Sequence, residues 1–99
     1  MAVSIQFDWD PVKALSNASK HGVSFEEAML VFGDPLALSI PDPHLPGPEE
    51  RWITIGLAAP SRLLLVVYTH IELDADAVYV RIISARKPTR AERRQYEDG

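Results

Sequence analysis

Apolar positions recur at helical spacing early in the chain and at strand spacing later. SIQFDW, Ser4 to Trp9, alternates as a short first strand. Asp10 then offers an N-cap and Pro11 a first helical residue, a combination that starts helices. At about 100° per residue, Val12, Ala14, Leu15 and Ala18 form the expected buried stripe, with Lys13, Asn17 and Lys20 on the opposite side. Gly22 ends that helix. Ser24 and Glu27 make a capping box for a second one, whose apolar face is Phe25, Ala28, Met29 and Phe32, closed by Gly33 and Pro35. LALSI (36–40) reads as a weak strand. Pro41 to Pro48 carries four prolines in eight residues and reads as a loop. Three stronger strands follow at 51–57, 62–70 and 78–86, joined by AAPS and LDADA as an antiparallel meander. Pro88 stops the last strand, and Thr89 with Glu92 caps a terminal helix.

Side chains alternate across a sheet, so register sorts these strands into two faces. A turn near residue 60 sets Trp52 beside Tyr68 and Thr54 beside Val66. Arg51, Ile53, Ile55 and Leu57 then share a nearly all-aliphatic face with Leu63, Leu65 and Val67. Taken as the helix-covered side, that face should also receive Val80 and Ile82. Trp52, Tyr68, His70 and Arg81 are thereby expected together on the other face. Aromatic cross-strand pairs commonly stabilise half-exposed sheets. The functional reading is a platform where a base stacks while Arg81 holds a phosphate.

Composition narrows the class. Ninety-nine residues, with 46% hydrophobic and 24% charged, suit one domain spanning 1–99 with a single core. Without cysteine there is neither a disulfide framework nor a thiolate site. No signal peptide and no membrane span is expected, because the longest apolar run is Leu63 to Tyr68. A cytoplasmic location is the expectation.

Charge changes the picture more. The chain is −4 overall, yet Arg81, Arg86, Lys87, Arg90, Arg93 and Arg94 face a single acid, Glu92, between positions 81 and 94. Arg90 and Arg94 repel at i, i+4, and Arg90 lies in a first helical turn, where the macrodipole disfavours it. An anionic partner explains the cluster better than helix stability does. Lys20-His21-Gly22 is most simply a helix terminus, although His21 could carry protons near neutral pH. His21, His44 and His70 lack metal-ligand spacing, and Glu72, Asp74 and Asp76 lack the glycine and closing glutamate of a calcium loop. No metal and no cofactor is expected.

FDWDPVKALSNASKHGVSFEEAMLVFGDPLAL, EERWITIG and RIISARKPTRAERRQYE, taken in this order, resemble the BrnT family of type II toxins. The family pattern W-D-x-x-K-x-x-x-N-x-x-K-H-G falls on Trp9, Asp10, Lys13, Asn17, Lys20, His21 and Gly22. Its Glu-Arg pair falls on Glu50 and Arg51, and R-I-I-S-A-R on Arg81 to Arg86. The chain departs from that pattern in its acidic last hairpin, HIELDADAVY. The resemblance implies a small RelE-like α+β fold, here about four antiparallel strands with helices on one face. It also implies a ribonuclease that halts translation. The implied partners are RNA and a BrnA-like antitoxin in a hetero-oligomer, with operator DNA reached only through the antitoxin. Metal-free RNA cleavage needs proton carriers and phosphate-holding cations. His21, Lys20, Arg81 and Arg86 are the catalytic candidates, with Lys13 as a further proton carrier. Lys13, Trp52, Tyr68, Arg90, Arg93 and Arg94 are the RNA-binding candidates, Arg90 and Arg94 also serving to dock the antitoxin. The alternative is a non-catalytic partner-binding subunit that acts with an antitoxin at a promoter.

Overall fold

The computed structural model describes residues 4–42 and 51–99. The expected proline-rich loop falls mostly between them, so that loop, His44 and Glu50 lie outside the described residues. Five strands form one mixed sheet: β1 Ser4–Asp8, β2 Leu38–Pro41, β3 Arg51–Ala59, β4 Arg62–Asp74 and β5 Ala77–Arg86. Their order is β1-β5-β4-β3-β2. β2 to β5 pair antiparallel as the meander requires, but β1 joins β5 in parallel, giving one more strand than four. The helices are α1 Pro11–His21, α2 Phe25–Met29 and α3 Arg90–Asp98, with a 3₁₀ turn Leu30–Gly33 after α2.

The caps form as the sequence requires. Asp10 Oδ1 accepts from Val12 N at 2.8 Å, and Gly22 takes the left-handed φ of 67° that ends α1. Both capping boxes close, Ser24 with Glu27 and Thr89 with Glu92.

The β3–β4 register is the expected one, with Trp52 opposite Tyr68 and Thr54 opposite Val66. Which face the helices cover is not. The β4–β5 hairpin pairs Tyr68 with Ile82 and His70 with Val80. Cross-strand partners share a face, so the aromatics join Val80 and Ile82. That inner face packs under Val23, Phe25, Ala28 and Val31, with Phe32 edge-on to Tyr68 at 4.9 Å between centroids. Ile53, Ile55, Leu65 and Val67 lie on the opposite face in a smaller cluster, closed by Tyr96 of α3. The residues expected to share one buried face are therefore split between two cores. Counting aliphatics on β3 and β4 pointed to the wrong side, because the inner face also holds Leu64 and Val66 and the large area of two aromatics. Helices consequently cover both faces: α1 and α2 one, α3 part of the other.

α1 is also turned from its expected orientation. Val12, Leu15 and Ala18 are exposed, Ala14 is half-buried, and Asn17 is buried at 7% exposure. The cause lies in the sheet. β1 covers the outer edge of β5 only as far as Arg81, leaving the Ala85 backbone without a strand neighbour there. Asn17 supplies one: its Nδ2 donates to Ala85 O (2.8 Å) and Val23 O (3.0 Å), and its Oδ1 accepts from Ala85 N (3.1 Å). Buried backbone groups must be paired, and that requirement outweighs the burial of two aliphatics.

Candidate RNA-facing site

A β-bulge decides which cations meet. Arg81 and Arg86 are five apart, so strict alternation would put them on opposite faces. Tyr68 pairs with Ile82 and Val67 with Ser84, leaving Ile83 as an extra residue in β5. The bulge brings Arg86 round to the face of Arg81. Arg51 joins them, since Thr69 pairs with both Arg51 and Arg81. Across this open face runs the row Asp8, Arg81, Thr69, Arg51, one residue from each of four adjacent strands. Two strand spacings separate the backbones of Arg51 and Arg81 by about 10 Å.

Three side chains converge at one end of the row. Arg81 donates from a guanidinium nitrogen to Asp8 Oδ2, and the Tyr79 hydroxyl donates to the same oxygen. The Tyr79 bond, with Arg81 beside it, holds the Asp8 carboxyl below its ordinary range. That bond to Asp8 raises the pKa of the Tyr79 hydroxyl, so it keeps its proton at neutral pH. Arg81 stays about half exposed despite its ion pair, so it remains open to a phosphate.

Arg86 is more committed. Its guanidinium meets Glu92 in a fork, at 2.8 and 3.0 Å. That pairing, despite opposing desolvation, lowers the Glu92 pKa from 4.5 to about 2. Arg86 thus fastens α3 to the end of β5. At its far end, α3 is held by Tyr96, whose hydroxyl donates to Asp34 Oδ2 at 2.6 Å. Between these ties the basic residues separate. Arg90 and Arg94 line a cavity of about 570 Å³ with Ala91, Gln95 and Asp98. Arg93 instead lines a recess with Ser61, Arg62, Leu63 and Lys87.

α1 contributes from the sheet edge. Asn17 bonds that edge, so its direction lies in the plane of the sheet. At about 100° per residue, Ala14 and Ala18 turn to the inner side, where both line a groove with Phe25. Lys13 and Lys20 turn the other way, toward the open face, and both are exposed. His21 falls on the Ala14 side, at the helix end, next to the Gly22 carbonyl that accepts from Arg62. The sheet therefore separates His21 from Arg81. Tyr68 is 6% exposed and hydrogen-bonded to Thr54 at 2.7 Å, so its ring is not offered to a base. Trp52 is half-buried on the same inner face, edge-on to His70 at 5.3 Å. Sequence reasoning assigned no role to Asp8 or Tyr79 and left Arg51 as a bare motif match. The place of Asp8 beside Arg81 depends on the parallel β1–β5 pairing, which carries no local signal.

Residues 9–92 match the sequence model of a family described as the ribonuclease toxin BrnT of type II toxin–antitoxin systems. The chain belongs to the BrnT family. No curated protein matches it. Among solved structures, the Brucella abortus ribonuclease toxin BrnT aligns with a TM-score of 0.61 at 20% identity, over 89% of this chain and 100% of that one. At that identity the likeness is one of fold. BrnT motif positions now have places: Asp10 caps α1, Asn17 ties it to β5, and Gly22 ends it. The BrnT lysines, Lys13 and Lys20, border the open face. Among the described residues, no group of three or more His, Asp or Glu side chains is placed to hold a metal, and no helix is long and apolar enough to cross a membrane.

Proposed function

We propose that this BrnT-family chain is a metal-independent endoribonuclease toxin, inhibiting translation until a BrnA-like antitoxin neutralises it. The observation that carries the reading is the convergence of Arg81, Tyr79 and Asp8 on an open face bordered by Arg51 and by cations from α1 and α3. RNA supplies its own nucleophile, the ribose 2′-hydroxyl, so the protein must move two protons and stabilise the charged phosphorane. Arg81 and Arg51 hold the phosphate oxygens, for which guanidinium forks are suited. As the phosphate draws Arg81 toward itself, Asp8 gains the basicity to accept the 2′-proton. The 2′-oxygen bonds to phosphorus, the bond to the 5′-oxygen breaks, and Tyr79 protonates that leaving oxygen. A proton passing from Asp8 to Tyr79 along their hydrogen bond then resets the site. Lys13, Lys20, Arg90 and Arg94 hold flanking phosphates. Arg86 acts through α3, and His21 has no part on this face.

Inducing the chain alone in bacteria should arrest growth, and Tyr79→Phe should relieve the arrest at equal protein level. Unimpaired growth with the folded wild-type chain would favour the non-catalytic subunit instead.

A further inference from the structure

Lys87 and Arg93 stand apart from the other cations of β5 and α3. With Ser61, Arg62 and Leu63 they line a recess of about 190 Å³, where the β3–β4 turn meets the start of α3. The neighbouring arginines are engaged: Arg62 meets Glu27 in a fork, and Arg86 does the same with Glu92. Lys87 and Arg93 are not. Among the described residues no acid pairs with either, although the chain carries 14 acids against 10 lysines and arginines. Even Glu97, one helical turn from Arg93, makes no ion pair with it. Two unpaired cations sharing one recess repel, so fold stability does not account for their placement.

The turn adds a second, independent observation. Pro60 and Ser61 link the paired residues Ala59 and Arg62, and Ser61 holds a left-handed φ of 71°. Glycine is the residue favoured at such a position, because a side chain there is strained. Serine in its place adds a hydroxyl donor to the recess wall, and that hydroxyl has no partner among the described residues. Arg93 supplies a planar fork, Lys87 a point charge and Ser61 an O–H, a set suited to the oxygens of one phosphate group. Position indicates where that phosphate comes from. Lys87 follows directly on β5, roughly 20 Å along the chain from Arg81, so a nucleic-acid strand held at Arg81 can extend to it.

We propose that Ser61, Lys87 and Arg93 form a phosphate subsite that holds the RNA at a second point, an inference that rests on the ribonuclease reading above. The test measures binding of non-cleavable 2′-O-methyl RNA to wild type, Lys87→Ala/Arg93→Ala and Ser61→Gly over a salt series, with a thermal melt of each. The double variant should flatten the slope of log affinity against log salt by about 0.7, the loss of one phosphate contact on a single strand. Ser61→Gly should weaken binding about threefold or more while melting no lower than wild type, since glycine relieves the turn. A purely structural Ser61 predicts the same melt with unchanged binding, and that result overturns the subsite. An unchanged salt slope in the double variant overturns it too. Inorganic phosphate without RNA separates the sources. If it raises the melting temperature of wild type but of neither variant, while all three bind RNA alike, the recess takes a free anion and the proposal fails. Cleavage of unmodified RNA is followed in parallel. Its absence beside the expected binding results counts against the enzyme reading alone; equal binding by all three proteins with cleavage intact counts against the subsite alone.

Discussion

Arg81→Ala is expected to lower RNA cleavage by about 10²-fold or more, the usual effect of removing a donor aimed at developing negative charge. On the proposed reading the loss falls on the chemical step rather than on RNA affinity, because Lys13, Lys20, Arg90 and Arg94 are left to contact the strand. Stability should barely change. The Arg81–Asp8 pair is about half exposed on both sides, and solvent-screened surface pairs of that kind contribute little to stability. Arg81→Lys should recover only part of the rate, since an ammonium lacks the fork that spans two phosphate oxygens. Single-turnover rates and thermal melts on the same preparations separate the two effects. Full activity in Arg81→Ala would remove Arg81 from the chemistry.

The largest expected loss of stability belongs to Asn17, a polar residue on a helix. Asn17→Ala leaves the Ala85 N–H and C=O unpaired at a buried edge. Each such group costs roughly 1–3 kcal/mol, so the variant should lose about 2–6 kcal/mol, a large share of the roughly 5–15 kcal/mol typical of a domain. Asn17→Leu distinguishes pairing from burial. It would add apolar area at a buried site and should still destabilise, because leucine cannot answer either backbone group. Urea unfolding of both variants measures the loss. A leucine variant as stable as wild type would mean that α1 is seated by apolar contact and not by this amide.

Asn17 also illustrates what local patterning misses. The helix itself was legible: Asp10, Pro11 and Gly22 set its limits from adjacent residues. Its rotation was not, since that depends on an unpaired strand edge 68 residues away. The β3–β4 pairing was legible because a short turn sets it. The facing of β5 was not, because the hairpin pairing and the Ile83 bulge decide it together. Arg81 and Arg86 were found through charge clustering, and the structure gives them different work: one open beside Asp8 and Tyr79, the other clasped to Glu92. Tyr68 looked like a stacking residue because aromatic character is visible in sequence and burial is not.

The most direct test of the central claim is cleavage of a defined RNA by the purified chain in excess EDTA, with the 5′ fragment's new end identified by mass. Attack by the 2′-hydroxyl predicts undiminished cleavage and a 2′,3′-cyclic phosphate. Cleavage that stops in EDTA and returns with Mg²⁺, leaving 3′-hydroxyl or 5′-phosphate ends, would contradict the account.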